Sequence, residues 1–306
     1  MDLKSKIILI SGPTASGKSK FAIQLAKKIN GEVINADSMQ IFKELKILTA
    51  RPHRNDLKNI KHHLYGFKSV KENYSTGNWL KDAKLKITNI KKKNKIPILV
   101  GGTGLYFKAI IDGIVKIPDI PLIFRNRIRK KHSKIGQKKF YLELIKLDPL
   151  CKKKINKNDT QRSIRAYEVK KFTNKSLFDW YSETYSDFNQ DSFIKLHIDY
   201  PRERLIERIS IRTNEMLRDG AIKEAKRFYK LRVKKDLSSN KVIGLSEIKE
   251  YLDKRIDLTE LKEKISIKTR QYAKRQSTWA RGQMSDWQKI KFNTLKSYLK
   301  KIPKSA

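Results

Sequence analysis

The chain has 306 residues, 39% of them hydrophobic, enough for one large domain or two of ordinary size around a buried core. Lys and Arg number 71 against 31 Asp and Glu, a formal charge of +40 that favours polyanionic partners, nucleic acid first. One cysteine, Cys151, excludes an internal disulfide and a multi-cysteine zinc module, and reads as an incidental thiol. No apolar run has the length of a membrane span or of a leader core, which points to a cytoplasmic protein with no membrane partner. Lysine, isoleucine and asparagine are abundant throughout, so part of the charge is solvated lysine. The positions of arginine say more, because a guanidinium binds phosphate through a planar fork.

An apolar run, Ile7-Ile8-Leu9-Ile10-Ser11, leads into Gly12-Pro13-Thr14-Ala15-Ser16-Gly17-Lys18-Ser19, which fits the P-loop pattern G-x-x-x-x-G-K-[ST]. Phe21, Ala22, Leu25, Ala26 and Ile29 then recur at helical spacing. Strand, loop and helix is the context that the motif requires. Gly12 and Gly17 let the intervening N–H groups turn inward and, with the positive helix end, form an anion nest. In such a loop Lys18 reaches the outer phosphate and the Ser19 hydroxyl sits on Mg²⁺. The bound diphosphate or triphosphate is then substrate, energy source or leaving group.

Residues 32–36 predict a second strand, ending at Asp37-Ser38-Met39-Gln40. Ligands of open α/β sheets bind at carboxyl strand ends, which lands Asp37 beside the P-loop. Its alternative role is a helix N-cap for the segment that follows. His62 and His63 are adjacent, and neighbours on a strand face opposite ways, so hydrogen bonding suits them better than a shared metal. A helix is expected from about Tyr74 to Asn89 and a buried strand over 96–100, ending in Gly101-Gly102-Thr103-Gly104. Those glycines allow close approach of a ligand to the backbone, where Thr103 offers a hydroxyl. That strand carries no Walker B acid, which weakens an ordinary NTPase or kinase reading.

From about Lys116 to Gln190 the pattern is helical and basic. Asn158 or Asp159 caps a helix on which Gln161, Arg162 and Arg165 share a polar face. Leu196-His197-Ile198-Asp199 resumes the core as a strand. Arg204, Arg208 and Arg212 form a stripe on the following helix that suits a diphosphate or an RNA backbone, unless Glu203 and Glu207 neutralise part of it. Residues 258–282 predict one long helix with Ile265, Tyr272, Gln276 and Trp279 near one face. From about Lys289 the chain reads as a lysine-rich tail that frays or follows RNA phosphates. The expected architecture is an α/β fold, a P-loop NTPase-like parallel sheet flanked by helices. Residues 1–115 and 191–306 form that core, and 116–190 a helical insertion domain.

Taken in order, Gly12 to Ser19, Asn35-Ala36-Asp37-Ser38-Met39-Gln40-Ile41-Phe42, His62-His63-Leu64 and Val100 to Tyr106 resemble the tRNA dimethylallyltransferase (tRNA isopentenyltransferase) family. Four later segments extend the match: Pro118 to Arg125, Asn158 to Val169, Arg208 to Leu217 with Gly220, and Thr269 to Gln276 with Trp279 and Arg281. Together they cover roughly residues 6–287. The chain departs at Gly244-Leu245-Ser246, where the family often has Gly-Tyr-Arg, and at Leu64-Tyr65-Gly66, where it often has Leu-Ile-Asp.

The resemblance implies transfer of a dimethylallyl group from dimethylallyl diphosphate to N6 of the adenosine 3′ of a tRNA anticodon. It implies Asp37 as general base, Thr103 and Lys18 beside it, and the P-loop residues Gly12 to Ser19 with Arg212, or Arg208, on the leaving diphosphate. Mg²⁺ sits at Ser19. Contacts to the tRNA anticodon stem-loop fall to Asp37, Ser38, Met39, Gln40, Thr103, Arg125, Gln161, Arg162, Ser163, Ile164 and Arg165. The enzyme is expected to be a cytoplasmic monomer, and nucleotide (ATP) binding by the loop stays open. An ATP-dependent kinase and a non-catalytic RNA-binding NTPase are the competing classes.

Overall fold

The computed structural model describes residues 3–52 and 60–302, which divide into two compact units. One comprises residues 1–111 and 188–306, the other 112–187. The first unit is built on β1 (Ile7–Ser11), α1 (Lys18–Lys28), β2 (Gly31–Asn35), β3 (His62–His63), α2 (Thr76–Lys91), β4 (Ile96–Gly101) and α3 (Gly104–Asp112). The second carries α4 (Leu122–Leu147), α5 (Cys151–Lys154), α6 (Thr160–Thr173) and α7 (Leu177–Ser182). The first then continues with β5 (Phe193–Asp199), α8 (Arg202–Arg218), α9 (Ala221–Lys230), α10 (Leu245–Leu252), α11 (Leu258–Gln283), β6 (Gln288–Lys291) and α12 (Leu295–Lys301).

The six strands form one sheet in the order β3-β2-β4-β1-β5-β6, and every described pairing is parallel. Parallel strands need layers on both faces, which is why β1 and β4 read as continuous apolar runs. Alternate residues serve alternate layers. Ile7, Leu9 and Leu99 pack with Trp79, Ala83 and Phe107 of α2 and α3; Ile8, Ile10 and Ile98 pack with Phe21, Leu25 and Ala26 of α1. A third cluster joins Ile41, Phe42 and Leu45 to Phe228, Ile248 and Ile265 on α9, α10 and α11.

Ser75 starts α2 through a capping box with Asn78. The Trp79 indole on that helix donates to the Asn35 carbonyl at 2.8 Å and stacks on Tyr106 with centroids 4.2 Å apart. The end of β2 is thereby tied to the helix layer.

The histidines take hydrogen-bonding roles. Nδ1 of His62 lies 2.7 Å from the Ile60 carbonyl, and Nε2 of His63 lies 2.7 Å from Glu32. Among the described residues no group of three or more His, Cys, Asp or Glu is placed to hold a metal.

The expected tail is corrected. Residues from Gln288 form β6 on the sheet edge, and Lys28 of α1 donates to the carbonyls of Leu299 and Lys300. Cys151 is buried, and burial raises its thiol to about 12, in keeping with an inert role. Among the described residues no helix is long and apolar enough to cross a membrane.

Candidate active site

The P-loop joins β1 to α1. Ala15 and Gly17 both have positive φ, 65° and 86°, so the loop turns where a left-handed backbone is needed, and Gly17 caps the helix. Gly12, Pro13 and Ser16 form the buried base; Thr14, Ala15, Gly17, Lys18 and Ser19 face a cavity of about 470 Å³. Lys18 Nζ donates to the Pro13 carbonyl at 3.2 Å. Desolvation pulls this ammonium down to about 8, nearby Asp37 pushes it up and Arg212 pulls it further down.

Asp37, Ser38, Met39 and Gln40 line the opposite wall. The Asp37 carboxylate accepts from the Met39 N–H at 2.9 Å, a local turn, and no helix begins there, so the N-cap alternative does not hold. Buried Asn35 shapes this turn. Its side chain donates to the carbonyls of Asp37 and Leu64 and accepts from the Asp37 N–H. The Gln40 amide donates to the carbonyls of Thr49 and Ala50, so it braces the next cavity wall.

The half-buried Thr103 hydroxyl accepts from the Ser38 N–H at 3.0 Å and donates to the Ser38 hydroxyl at 3.3 Å, so it braces the Asp37 loop beside Tyr272. The neighbouring glycines do not serve ligand approach as expected. A Cβ at Gly101 would lie 2.0 Å from the Ala36 carbonyl oxygen, and one at Gly102 would lie 1.9 Å from Gln276 Nε2. The room they leave is filled by the protein itself.

The arginine stripe on α8 is shared out. Arg204 stacks on Phe292. Arg208 stacks on Tyr200, and its Nε donates to the Ala15 carbonyl at 2.7 Å. Arg212 lines the cavity, where desolvation lowers its guanidinium, Asp37 raises it and Arg208 lowers it. Lys241, Tyr272 and Arg275 complete the wall. Desolvation and then the Asp37 charge raise the Tyr272 phenol, which Thr103 and Gln276 lower in part by hydrogen bonding.

In the second unit, Asp159 caps α6 by accepting from the Arg162 N–H at 3.0 Å. Gln161 and Arg162 are exposed, and Arg165 is half-buried. Ser163 is fully buried, donates to the Asp159 carbonyl and is removed from the RNA-facing set; Ile164 packs on the unit's core. Glu168 is buried, and Arg125, Arg129 and Arg165 approach it at 3.4, 3.5 and 3.8 Å. Three guanidiniums around one carboxylate leave a local excess of positive charge.

A family model described as IPP transferase matches residues 40–283. The chain belongs to the IPP transferase family. Within it, a tRNA dimethylallyltransferase of Pelagibacter ubique is 61% identical over the whole chain and 98% of its own length. One of Rickettsia massiliae is 41% identical over 98% of this chain and 83% of its own. A solved eukaryotic dimethylallyltransferase acting on tRNA superposes with a TM-score of 0.82 at 29% identity, over 96% of this chain and 75% of that one. The full-length tRNA isopentenylpyrophosphate transferase of Bacillus halodurans gives 0.70 at 31% identity, over 97% and 95%.

The P-loop and the Asp37 segment line one cavity. Sequence reasoning gave no role to Asn35, Arg129, Lys241, Arg275 or Gln276. Asn35, Arg275 and Gln276 stood inside matched motifs, and their motif positions were the available signal.

Proposed function

We propose that this chain transfers the dimethylallyl group of dimethylallyl diphosphate to N6 of the adenosine on the 3′ side of a tRNA anticodon, releasing diphosphate. The observation that carries the reading is the convergence of Lys18, Arg212 and Asp37 on one cavity. Two cations facing one carboxylate suit an anionic leaving group opposite a proton acceptor.

The chemistry needs both. The lone pair of an exocyclic adenine amine is delocalised into the ring, so N6 attacks well only as its proton is removed. Asp37 takes that proton while the new C–N bond forms. The allylic C–O bond breaks, and the electron pair leaves with the diphosphate. Charge grows on the leaving oxygens, where the P-loop amides, Lys18 and Arg212 stabilise it. The loop thus holds a leaving group, with no phosphoryl transfer. Thr103 acts through Ser38, keeping the Asp37 turn in place.

The donor set fits Mg²⁺. Ser19 offers one hydroxyl at the cavity, and this ion takes substrate phosphate oxygens and keeps several waters, so no protein cage is needed. When bound it supplies charge neutralisation on the diphosphate.

The adenosine must leave its stack to enter the cavity, and an RNA loop makes that extrusion comparatively cheap. Met39 and Gln40 on the wall, and Arg125, Gln161, Arg162, Ile164 and Arg165 of the second unit, are assigned to the anticodon stem-loop. We assign the reaction to the cytoplasm, where tRNA is used, and to a monomer.

The test is incubation of the purified protein with unmodified tRNA, Mg²⁺ and labelled dimethylallyl diphosphate, then nuclease digestion and mass spectrometry. Label on one anticodon-loop adenosine is the expected result. ATP consumption with no label on any tRNA would turn the reading to a kinase or NTPase.

A further inference from the structure

We propose that Gln276 is a positioning residue for the diphosphate site, a clamp that holds the P-loop in its anion-binding shape; this rests on the reading above. Gln276 sits on α11, 262 residues from Thr14 in the chain, yet its Oε1 accepts from the Thr14 N–H at 2.7 Å. Its Nε2 donates to the Gly102 carbonyl at 3.0 Å. One planar amide thus joins the P-loop to the end of β4 and fixes both to the helix.

The chain is shaped around this amide. Gly102 has no room for a Cβ, which would lie 1.9 Å from Nε2. Gly104, two residues on, leaves the same kind of space for Trp279, three residues along α11. The seating is therefore specific to the carboxamide, which needs an acceptor and a donor at opposite ends.

The clamp acts on the loop from its back. Gln276 thereby fixes the backbone of Thr14, and the Ser16 N–H donates to the Pro13 carbonyl at 3.2 Å to close the loop on itself. Arg208 does the same one residue on, by binding the Ala15 carbonyl at 2.7 Å. Ala15 has a φ of 65°, a left-handed conformation that an alanine holds only under such constraint. Donors fixed before the ligand arrives need no reorganisation when charge develops. Gln276 lies outside the residues that line the cavity, and its effect passes through the backbone of Thr14 and the hydroxyl of Tyr272.

The experiment compares wild type with Gln276→Met, which keeps the volume and loses the hydrogen bonds to Thr14, Gly102 and Tyr272, and Gln276→Glu, which keeps the acceptor and loses the donor. The readouts are the Kd for inorganic pyrophosphate with Mg²⁺, the Kd for unmodified tRNA, and the melting temperature. Gln276→Met is expected to weaken pyrophosphate about tenfold or more at a temperature where it is fully folded, with tRNA affinity unchanged, and Gln276→Glu to fall between. Wild-type pyrophosphate affinity in folded Gln276→Met overturns the proposal. So does a parallel loss of pyrophosphate and tRNA affinity that follows melting temperature alone. A wild type that binds pyrophosphate but never transfers a prenyl group would instead sink the functional reading and leave the clamp standing.

Discussion

At the scale of residues, the site rests on a carboxylate and an ammonium with different demands. Asp37→Asn keeps an acceptor for the Met39 N–H, so the turn survives while the base is lost. Prenyl transfer is expected to fall about 10²–10⁴-fold in kcat, the usual share of general base catalysis, with tRNA affinity unchanged. Single-turnover transfer and a filter-binding assay check the two halves, and loss of binding alone would remove Asp37 from the base role. Lys18 makes a pH prediction. Its free-state value of about 8 rises when a diphosphate binds, so the complex holds more protons than the free protein. The Lys18 contribution to pyrophosphate affinity is then full below pH 8 and falls about tenfold per pH unit above it, until the bound-state value is passed. Calorimetry in buffers of different ionisation enthalpy reads the proton uptake, and Lys18→Met should flatten the profile. The P-loop and Asp37 were legible because each is a local string. Asn35 and Gln276 were not, because their meaning lies in partners that only the topology brings near.

At the scale of elements, the central strands could be read because burial on both faces demands unbroken apolar runs, as in Ile7–Ile10 and Ile96–Val100. The edge strands escaped for the converse reason. β3 has two residues, both histidine, and β6 is Gln-Lys-Ile-Lys with Ile290 alone buried. No period can be detected over such lengths, and lysine on an edge strand resists pairing with another chain. The glycines after β4 were read correctly as a close approach, but the approaching group was the chain itself. The β2–β3 edge carries its own prediction. Burial alone would raise Glu32, but hydrogen bonds from His63 and Lys95 outweigh it and hold the carboxyl low; burial holds His63 low despite Glu32. Both groups bind fewer protons folded than unfolded, so stability falls as pH falls. The loss begins near the ordinary histidine value of about 6.5 and deepens below the carboxylate value of about 4.3. His197, also held low by burial, shares the upper part. Melting curves from pH 7.5 to 4 should show this decline, and His63→Gln should reduce its upper part.

At the scale of the whole molecule, a formal charge of +40 does not by itself distinguish an RNA-binding surface from lysine-rich drift. Salt dependence separates them. Counterions released from RNA make log K for tRNA fall linearly with log salt, by about 0.7 per contacted phosphate for a single strand. Scattered solvated lysines would give a slope that no single substitution changes. The arginines of the second unit are placed differently. Arg162 is exposed at the start of α6, while Arg165 shares buried Glu168 with Arg125 and Arg129. Glu168 neutralises one of its three partners, so an excess of positive charge remains around it. If these arginines meet tRNA phosphates, Arg162→Ala with Arg165→Ala should reduce the magnitude of the tRNA salt slope by about 1 to 2 and weaken binding at every salt concentration. Pyrophosphate affinity should not change, because Lys18 and Arg212 belong to the other unit. A charge-matched control, the exposed Lys92 and Lys93 just after α2 changed to alanine, should leave the slope near its wild-type value. Equal effects from both pairs would mean that tRNA reads the net charge and that the order of arginines on α6 carries no recognition.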